Sequence, residues 1–393
     1  MSDRPRRLAP VADELLGSFR VVVVNGPRQA GKSTLIRHLR HDRLVNLDDP
    51  TFLERASSDP LGFVEALPRP AAIDEFQRAG NGLLLAVKAQ VDLDSTAGQF
   101  LLAGSTQFLA MRSIDETLTG RAGVLELLPL SVGEIDGTDE AFVERCFDGP
   151  AAVVAGPAVK RTEYAELICR GGFPELALGR SARRFRSTWA ESYLRTVTAA
   201  ANVDQVAEVR RPETLLTLLS QLAARSSGEL VMTDLERDTL LHPSTVRSHL
   251  DVLSVLYLVR LVPAWTTSHT TRAKKRPTVH LVDTALAAHL VGVGADELAK
   301  IESPWFGPLL ESFVVGEVAK QCSWAERPVR LGHYRDRDQR EVDLVLERGH
   351  EVVGIEVKAT STPSASHARH LAFLRERLGS RFRCGLLLHT GTQ

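Results

Sequence analysis

The chain has 393 residues and a formal net charge of −1, with 44% hydrophobic and 25% charged residues. That composition is typical of globular proteins and leaves room for two or three domains, each with its own core. It excludes an overall positive charge as the means of attracting nucleic acid, although a neutral chain can still carry basic patches.

The cysteines and the apolar residues indicate in which cellular compartment the protein is found. The four cysteines lie far apart and form no CxxC pair, which favours reduced thiols in the cytosol. No apolar stretch approaches the roughly 20 residues that span a bilayer. Residues 1–17 also lack the continuous apolar core of a signal peptide. We therefore expect a soluble cytoplasmic protein with no membrane partner.

The first predicted strand leads into a phosphate-binding loop. Val21–Val24 is a β-branched run typical of a strand buried in a parallel sheet. The motif G-x-x-x-x-G-K-[ST] follows without a mismatch, and helical spacing comes next. Lys32 would reach the β- and γ-phosphates of ATP, and the Ser33 hydroxyl would bind Mg²⁺. The predicted nucleotide-binding residues of the loop are Gly26, Pro27, Arg28, Gln29, Ala30, Gly31, Lys32, Ser33 and Thr34.

Acids and hydroxyls at the ends of two further strands would complete this site. The apolar run Ala71–Ile73 ends in Asp74 and Glu75. Asp74 would hold Mg²⁺ and Glu75 would polarise the attacking water, with a solvated turn as the alternative. The next strand ends in Ser105 and Thr106. Because carboxyl ends of parallel strands open onto one crevice, either hydroxyl would sense the γ-phosphate.

One arginine follows a glycine shortly afterwards, at Arg121. It would act as an arginine finger, in its own chain or from a neighbouring subunit of a homo-oligomer. The alternative is an ion pair at the surface. The sequence does not decide between these readings.

These segments together resemble a family of bacterial and archaeal AAA-type ATPases that carry a C-terminal domain of unknown function. The resemblance rests on residues 26–34, 46–49, 72–77, 103–106, 119–121, 129–131 and 171–175, and it extends to the C-terminal segment. It implies an α/β protein that begins with a P-loop AAA-type parallel-sheet domain and a helical lid. We predict these four units: AAA-type domain 1–160, helical lid 161–205, winged helix 206–300, and α/β restriction-endonuclease-like domain 301–393.

The middle of the chain contains a turn-rich stretch and then helical patterns. Residues 137–160 read as an exposed loop, and residues 162–200 as helices broken near Gly171. Three more helices follow, the third capped by Ser244, and then two strands. That order is typical of a winged helix, which would contact DNA or serve only for packing. Its predicted wing carries the basic residues Arg272, Lys274, Lys275 and Arg276.

The C-terminal segment has an α-β-β-β-α-β pattern that resembles the restriction-endonuclease-like nuclease superfamily. The pattern places Asp343 on one strand and Glu356 and Lys358 on the next. Glu356 and Lys358 are two residues apart and so face the same side of the strand. Asp343 and Glu356 would bind Mg²⁺, Glu311 from the preceding helix would add a third carboxylate, and Lys358 would orient the attacking water. The alternative is an incidental ion pair at a sheet edge.

Two functions fit these patterns. The first is an ATPase, with ATP and Mg²⁺ as cofactors, that couples turnover to nucleic-acid binding or cleavage, with DNA favoured over RNA. The second is a nucleotide-dependent switch or scaffold whose nuclease-like domain recruits a protein partner and does not cut. The set of Glu311, Asp343, Glu356 and Lys358 favours the enzyme, whereas the neutral overall charge favours the switch.

Overall fold

The computed structural model describes residues 4–105, 118–154, 156, 158–179, 182–199, 213–267 and 275–391. Five parallel strands form the first sheet within these residues, in the order β2-β3-β4-β1-β5. The strands are β1 Val21–Asn25, β2 Arg43–Asn46, β3 Ala71–Asp74, β4 Phe100–Gly104 and β5 Ala122–Glu126. The helices around them are α1 Ala9–Leu16, α2 Lys32–His38, α3 Pro50–Ser58, α4 Pro60–Glu65 and α5 Gly80–Leu93.

The strand order places the phosphate loop and the acids at one edge of the sheet. β1 is buried along its whole length, as its run of valines predicts. β4 lies between β1 and β3 and is parallel to both. β3 begins at Ala71, directly after Pro70, because proline has no N–H for a strand ladder. The carboxyl ends of these three strands therefore meet where the predicted nucleotide site lies.

The prediction of an exposed loop over residues 137–160 is wrong. Helix α6 spans Val132–Asp136, α7 spans Phe142–Asp148, and a short 3-10 helix covers Pro150–Ala152. Val143 and Phe147 are buried in the same core cluster as strand residues near the C-terminus. The spacing of these apolar residues is helical, and the turn residues around them obscured it.

The next part of the chain is helical and ends in an antiparallel pair of strands. His242, not Ser244, is the N-cap of helix α13, because its ring nitrogen accepts from the Ser244 N–H. The two strands, β6 Val259–Val262 and β7 Thr278–Leu281, pair with each other. The helices are α8 Arg161–Arg170, α9 Pro174–Ala177, α10 Arg183–Val197, α11 Glu213–Ala223, α12 Met232–Thr239, α13 Pro243–Val255, α14 Thr284–Leu290 and α15 Ala295–Leu298.

The last unit is a mixed four-stranded sheet with helices. Its strand order is β11-β10-β9-β8; β10 and β11 are parallel, and the other neighbouring pairs are antiparallel. Short 3-10 helices cover Ala365–Ala368 and Gly379–Arg381. The other elements are α16 Phe306–Ser323, β8 Arg330–Arg335, β9 Glu341–Arg348, β10 Glu351–Lys358, α17 Arg369–Leu378 and β11 Phe382–His389.

One hydrophobic cluster joins the units after the first sheet. It contains buried residues from Leu128 to Cys384, including members of the lid helices, the middle helices and the last sheet. The cysteines are free thiols, and Cys146 and Cys384 are buried. No helix in the described part of the chain is long and apolar enough to span a membrane.

Candidate functional site

The phosphate loop connects β1 to α2, and its glycines are required by its backbone. Gly31 has φ 98° and is the N-cap residue of α2. A Cβ added at Gly26 would lie 2.2 Å from the carbonyl oxygen of Leu127, so no other residue fits there. Gln29 also has a positive φ, of 61°. Such a curled backbone turns its N–H groups inward, which suits phosphate oxygens.

Lys32 lies in the first turn of α2 and reaches back across the loop. Its Nζ donates to the carbonyl oxygens of Gly26 and Pro27, at 3.0 and 2.8 Å. Burial lowers the pKa of Lys32 to about 8, against the opposing effect of the nearby carboxylates of Glu75 and Asp74. A buried ammonium held this close to the loop is positioned to bind phosphate oxygens.

Ser33 and Asp74 form the pair that suits Mg²⁺. The Ser33 hydroxyl hydrogen-bonds the Asp74 carboxylate, and burial raises the pKa of Asp74 despite that bond. Asp74 is only 2% exposed. A hydroxyl and a carboxylate meeting at the phosphate end of the site provide the hard oxygen ligands that Mg²⁺ takes beside nucleotide phosphates. These residues therefore fit the ion.

Glu75 is held by two neighbours that join the ends of β3 and β4. Its Oε2 accepts from Gln77 Nε2 at 2.5 Å and from the Ser105 hydroxyl at 3.0 Å. Gln77 Nε2 also contacts Ser105 Oγ at 3.1 Å. Glu75 has φ 53°, in the left-handed region that costs free energy for a residue with a side chain. Glu75, Gln77 and Ser105 thus form a hydrogen-bonded triangle that orients the carboxylate.

The structure corrects the prediction for Arg121. Its carbonyl oxygen accepts from Val21 N at 3.2 Å, so Arg121 lies at the amino-terminal edge of the sheet. The phosphate loop begins beyond the other end of β1, about 16 Å away at roughly 3.3 Å per residue. The side chain pairs with Asp92 at 2.5 Å. An arginine finger acting within its own chain is therefore excluded, and only the action on a neighbouring subunit stays a prediction. Thr106 lies outside the described residues.

The cleft beside the loop has a volume of about 480 Å³, within the range of small-molecule sites. The lid contributes Pro174, Glu175 and Leu178 to its lining. Tyr193 on α10 donates its hydroxyl to the Arg28 carbonyl oxygen at 3.3 Å and so ties the lid to the phosphate loop. Tyr193 also packs against Phe173 and Trp189. The residues that line the cleft are Arg4, Arg6, Gln29, Gly31, Lys32, Ser33, Thr34, Arg37, Glu75, Leu130, Pro174, Glu175 and Leu178.

Sequence reasoning missed several residues of this site. Gln77 lies two residues after Glu75 and could have been suspected from its place beside the acids. Leu130 and Pro174 fall in segments that carry the family resemblance, but no role in the site was predicted for them, and Leu178 lies outside those segments. Arg6 likewise reaches the loop from the residues before α1, with its Nη1 donating to the Ala30 carbonyl oxygen at 2.7 Å.

A second cluster lies in the last sheet, where the predicted carboxylates and lysine meet. Lys358 Nζ lies 2.6 Å from Glu356 Oε1 and 3.9 Å from Asp343 Oδ2. Asp343 Oδ2 also accepts from the Val357 N–H at 2.7 Å. Glu356 is 4% exposed, and its Oε2 is buried without a hydrogen-bond partner. β9 and β10 thus bring together Asp343, Glu356 and Lys358, as the sequence pattern predicts.

The electrostatics of this cluster reflect crowded, buried carboxylates. Burial, and then the neighbouring Asp343, raise the pKa of Glu311 to about 7. Burial, and then Glu356, raise the pKa of Asp343 to about 7. For Lys358, burial is outweighed by Asp343 and Glu356, so its pKa is raised. Glu311 also hydrogen-bonds Ser227, which lies in the turn after α11 and which the sequence did not suggest.

Glu356 Oε2, buried without a partner, suits a cation. Among the described residues, no group of three His, Cys, Asp or Glu side chains is arranged to hold a metal ion. The predicted three-carboxylate site is therefore not assembled by Glu311, Asp343 and Glu356 in this arrangement. Asp343 and Glu356 remain the pair that would hold the ion.

Three family models match the chain in succession. Residues 18–136 match an AAA domain. Residues 161–297 match a domain of unknown function, DUF8612, and residues 306–393 match another, DUF4143. The first match includes the phosphate loop and both acids described above. This part of the chain is an AAA-type P-loop ATPase domain.

The chain is also similar to whole proteins. Two uncharacterized proteins, from Mycobacterium bovis and Mycobacterium tuberculosis, are each 28% identical over 358 residues, which is 90% of this chain and 74% of theirs. A Walker-type ATPase of Pyrococcus abyssi is 15% identical with a TM-score of 0.46, covering 72% of this chain and 94% of its own. A RuvB variant of Thermotoga maritima is 18% identical with a TM-score of 0.31, covering 69% and 89%.

The AAA domain is joined to the carboxylate cluster by helix α16. Glu317 Oε2 accepts from the Val132 N–H at 2.9 Å, and Lys320 Nζ donates to the Leu130 carbonyl oxygen at 2.9 Å. Leu130 lines the nucleotide cleft. Glu311 lies six residues before Glu317 on the same helix, a rise of about 9 Å. A single rigid element therefore touches both candidate sites.

The lowered pKa of Lys32 predicts that nucleotide affinity of the AAA domain depends on pH. The charged ammonium binds phosphate, and above its pKa of about 8 the charged fraction falls with rising pH. We expect the Kd for ATP to rise by up to about tenfold per pH unit above pH 8. Isothermal titration calorimetry between pH 7 and 9.5 measures this. In Lys32→Arg, whose guanidinium stays charged, the slope above pH 8 should disappear; a persisting slope would contradict the assignment.

Proposed function

We propose that this protein binds and hydrolyses ATP and couples that turnover to nucleic-acid binding or cleavage, with DNA favoured over RNA. The AAA-type domain over residues 1–160 and the helical lid over 161–205 would form the ATPase. A winged helix over residues 206–300 would dock the nucleic acid. The restriction-endonuclease-like domain over residues 301–393 would bind it or cut it.

Each polar group at the phosphate loop supports one part of ATP hydrolysis. Lys32 would bind the β- and γ-phosphates, and Ser33 with Asp74 would hold Mg²⁺, which neutralises developing phosphate charge. Glu75 would accept a proton from the attacking water, and Ser105 and Gln77 orient its carboxylate. Arg121 would act only on a neighbouring subunit in a homo-oligomer, since it lies at the far edge of its own sheet.

The middle unit supports nucleic-acid docking by its order of elements. Helices α11 to α13 are followed by the antiparallel pair β6 and β7, the order of a winged helix. Arg272 and Lys274 of the predicted wing lie outside the described residues. Lys275 donates to the carbonyl oxygen of Arg335, whereas Arg276 is exposed. Arg276 is thus the described basic residue best placed to meet a phosphate.

The observation that carries the nuclease reading is the meeting of Asp343, Glu356 and Lys358 at 2.6 and 3.9 Å. Asp343 and Glu356 would hold Mg²⁺, and the ion would supply Lewis-acid chemistry at a phosphate. Lys358, whose neighbouring carboxylates raise its pKa and keep it protonated, would orient the attacking water. Glu311 lies on α16, which also contacts the AAA domain, and this supports coupling between the two sites.

The test is cleavage of a mixed panel of DNA and RNA with Mg²⁺ or Mn²⁺, with and without ATP. We expect cleavage by the wild type that is lost in Glu356→Ala/Lys358→Ala, by about a hundredfold or more, because both the metal ligand and the water-orienting cation are removed. The matched control is Arg375→Ala/Glu376→Ala, an exposed pair on α17. Cleavage that survives in the first double variant would refute the nuclease site.

A second candidate function is a nucleotide-dependent switch that recruits a protein partner without cutting. The close Glu356–Lys358 ion pair favours it, because that contact engages one carboxylate oxygen that a metal would otherwise use. No cleavage of any substrate by wild type, together with intact ATP turnover and an ATP-dependent change in elution volume on size exclusion, would select this alternative.

A further inference from the structure

Two of the residues before α1, Arg4 and Arg6, line the nucleotide cleft, and we call Arg4–Arg7 the N-terminal arm. Arg6 anchors the arm with three hydrogen bonds. Its Nη1 donates to the Ala30 carbonyl oxygen, its Nη2 to the Leu128 carbonyl oxygen at 2.6 Å, and its Nε to Glu134 at 3.0 Å. Only 8% of Arg6 is exposed. The arm is therefore attached directly to the phosphate loop.

Arg4 lines the same cleft but has no such partners. It is half-buried, and its Nε is shielded from solvent without a hydrogen-bond partner. Within the described residues, no hydrogen bond or ion pair involves its guanidinium, whereas Arg6 pairs with Glu134 and Arg7 with Asp139. A guanidinium N–H that is shielded from water and left without an acceptor is costly, and a bound anion would supply the acceptor. The cleft that Arg4 lines also contains Lys32 and Ser33, where the phosphates of a nucleotide would bind.

We propose that Arg4 is a nucleotide-contacting residue that binds phosphate oxygens of the nucleotide in this cleft. This rests on the proposed ATP binding by the AAA domain. The planar guanidinium donates two parallel N–H bonds to a phosphate, a geometry that lysine does not reproduce. Arg4 thereby supplies, within one chain, a cation that Arg121 cannot bring to this edge of the sheet.

Gly137, the residue that follows α6, lies beside the Arg4 guanidinium. It has φ 71° at the end of α6, and a Cβ built there would lie 3.6 Å from Arg4 Nη1. α6 also carries Glu134, the partner of Arg6. Arg4 and Arg6 both line the cleft, and Arg4 is the one whose charge has no partner among the described residues.

The experiment measures binding of Mg-ATP and adenosine to the full chain by isothermal titration calorimetry, in wild type, Arg4→Gln and Arg4→Lys. Arg7→Gln is the control, because it lies in the same arm and pairs with Asp139 at the surface. We expect Arg4→Gln to weaken ATP binding by about tenfold, a loss in the range of one charge-assisted contact. Arg4→Lys should recover part of that loss, while Arg7→Gln and adenosine binding should not change.

Each other result has a definite meaning. ATP binding by Arg4→Gln at wild-type affinity would overturn the proposal for Arg4 while leaving ATP binding by the AAA domain intact. An equal loss for adenosine would overturn the phosphate contact, since adenosine has no phosphate. Absence of ATP binding by the folded wild type would overturn both the proposed function and the role of Arg4. Circular dichroism of every variant ensures that the comparison is made between folded proteins.

Discussion

Replacing Lys32 by alanine is expected to remove measurable ATP turnover and to weaken ATP binding by at least about a hundredfold. The reason is the position of Nζ, which lies within 3.0 Å of two loop carbonyls and can transfer those hydrogen bonds to phosphate oxygens. Two charge-assisted hydrogen bonds at roughly 1.5–3 kcal/mol each account for that factor. The measurement combines calorimetric titration with a phosphate-release assay.

The control for this variant is Lys300→Ala, which removes an exposed lysine far from the loop in sequence. It should leave both affinity and turnover at wild-type values. Turnover that persists in Lys32→Ala at the wild-type rate, in a preparation free of other ATPases, would refute the assignment of the phosphate loop as the hydrolytic site.

Replacing Glu75 by glutamine is expected to separate binding from chemistry. The amide keeps the shape of the side chain and can still contact Gln77 and Ser105, so ATP affinity should change by less than about threefold. Turnover should fall by about 10²–10⁴-fold, the usual contribution of a general base, because an amide cannot accept the proton of the attacking water. Single-turnover phosphate release, with affinity measured separately, gives both quantities.

Glu54→Gln is the matched control, since Glu54 is an exposed carboxylate on α3 in the same domain. Its turnover should equal that of the wild type. If Glu75→Gln instead lost ATP affinity and turnover to the same extent, the carboxylate would contribute to binding or folding, and the base would have to be sought elsewhere.

Much of the nucleotide site can be read from the amino-acid sequence because its chemistry is local. The glycines, Lys32 and Ser33 act through their own loop and the helix that follows it, and their spacing alone encodes a curled backbone before a helix N-terminus. Asp74 and Glu75 follow a short apolar strand, and parallel strands open at one edge. The same reasoning holds for Glu356 and Lys358, since residues two apart on a strand share a face.

Contacts between distant segments were decided by the tertiary structure. Arg121 follows a glycine, as a finger residue would, yet the direction of β5 places it at the wrong edge of the sheet. The helix Phe142–Asp148 forms because Val143 and Phe147 are buried against residues far along the chain. Arg6 meets Glu134 across 128 positions, and α16 joins the AAA domain to the carboxylate cluster. The spacing of residues along the sequence determines the local backbone shape and which neighbouring side chains share a face. The packing of the whole chain determines which distant charges meet. It also leaves Arg4 without a partner among the described residues.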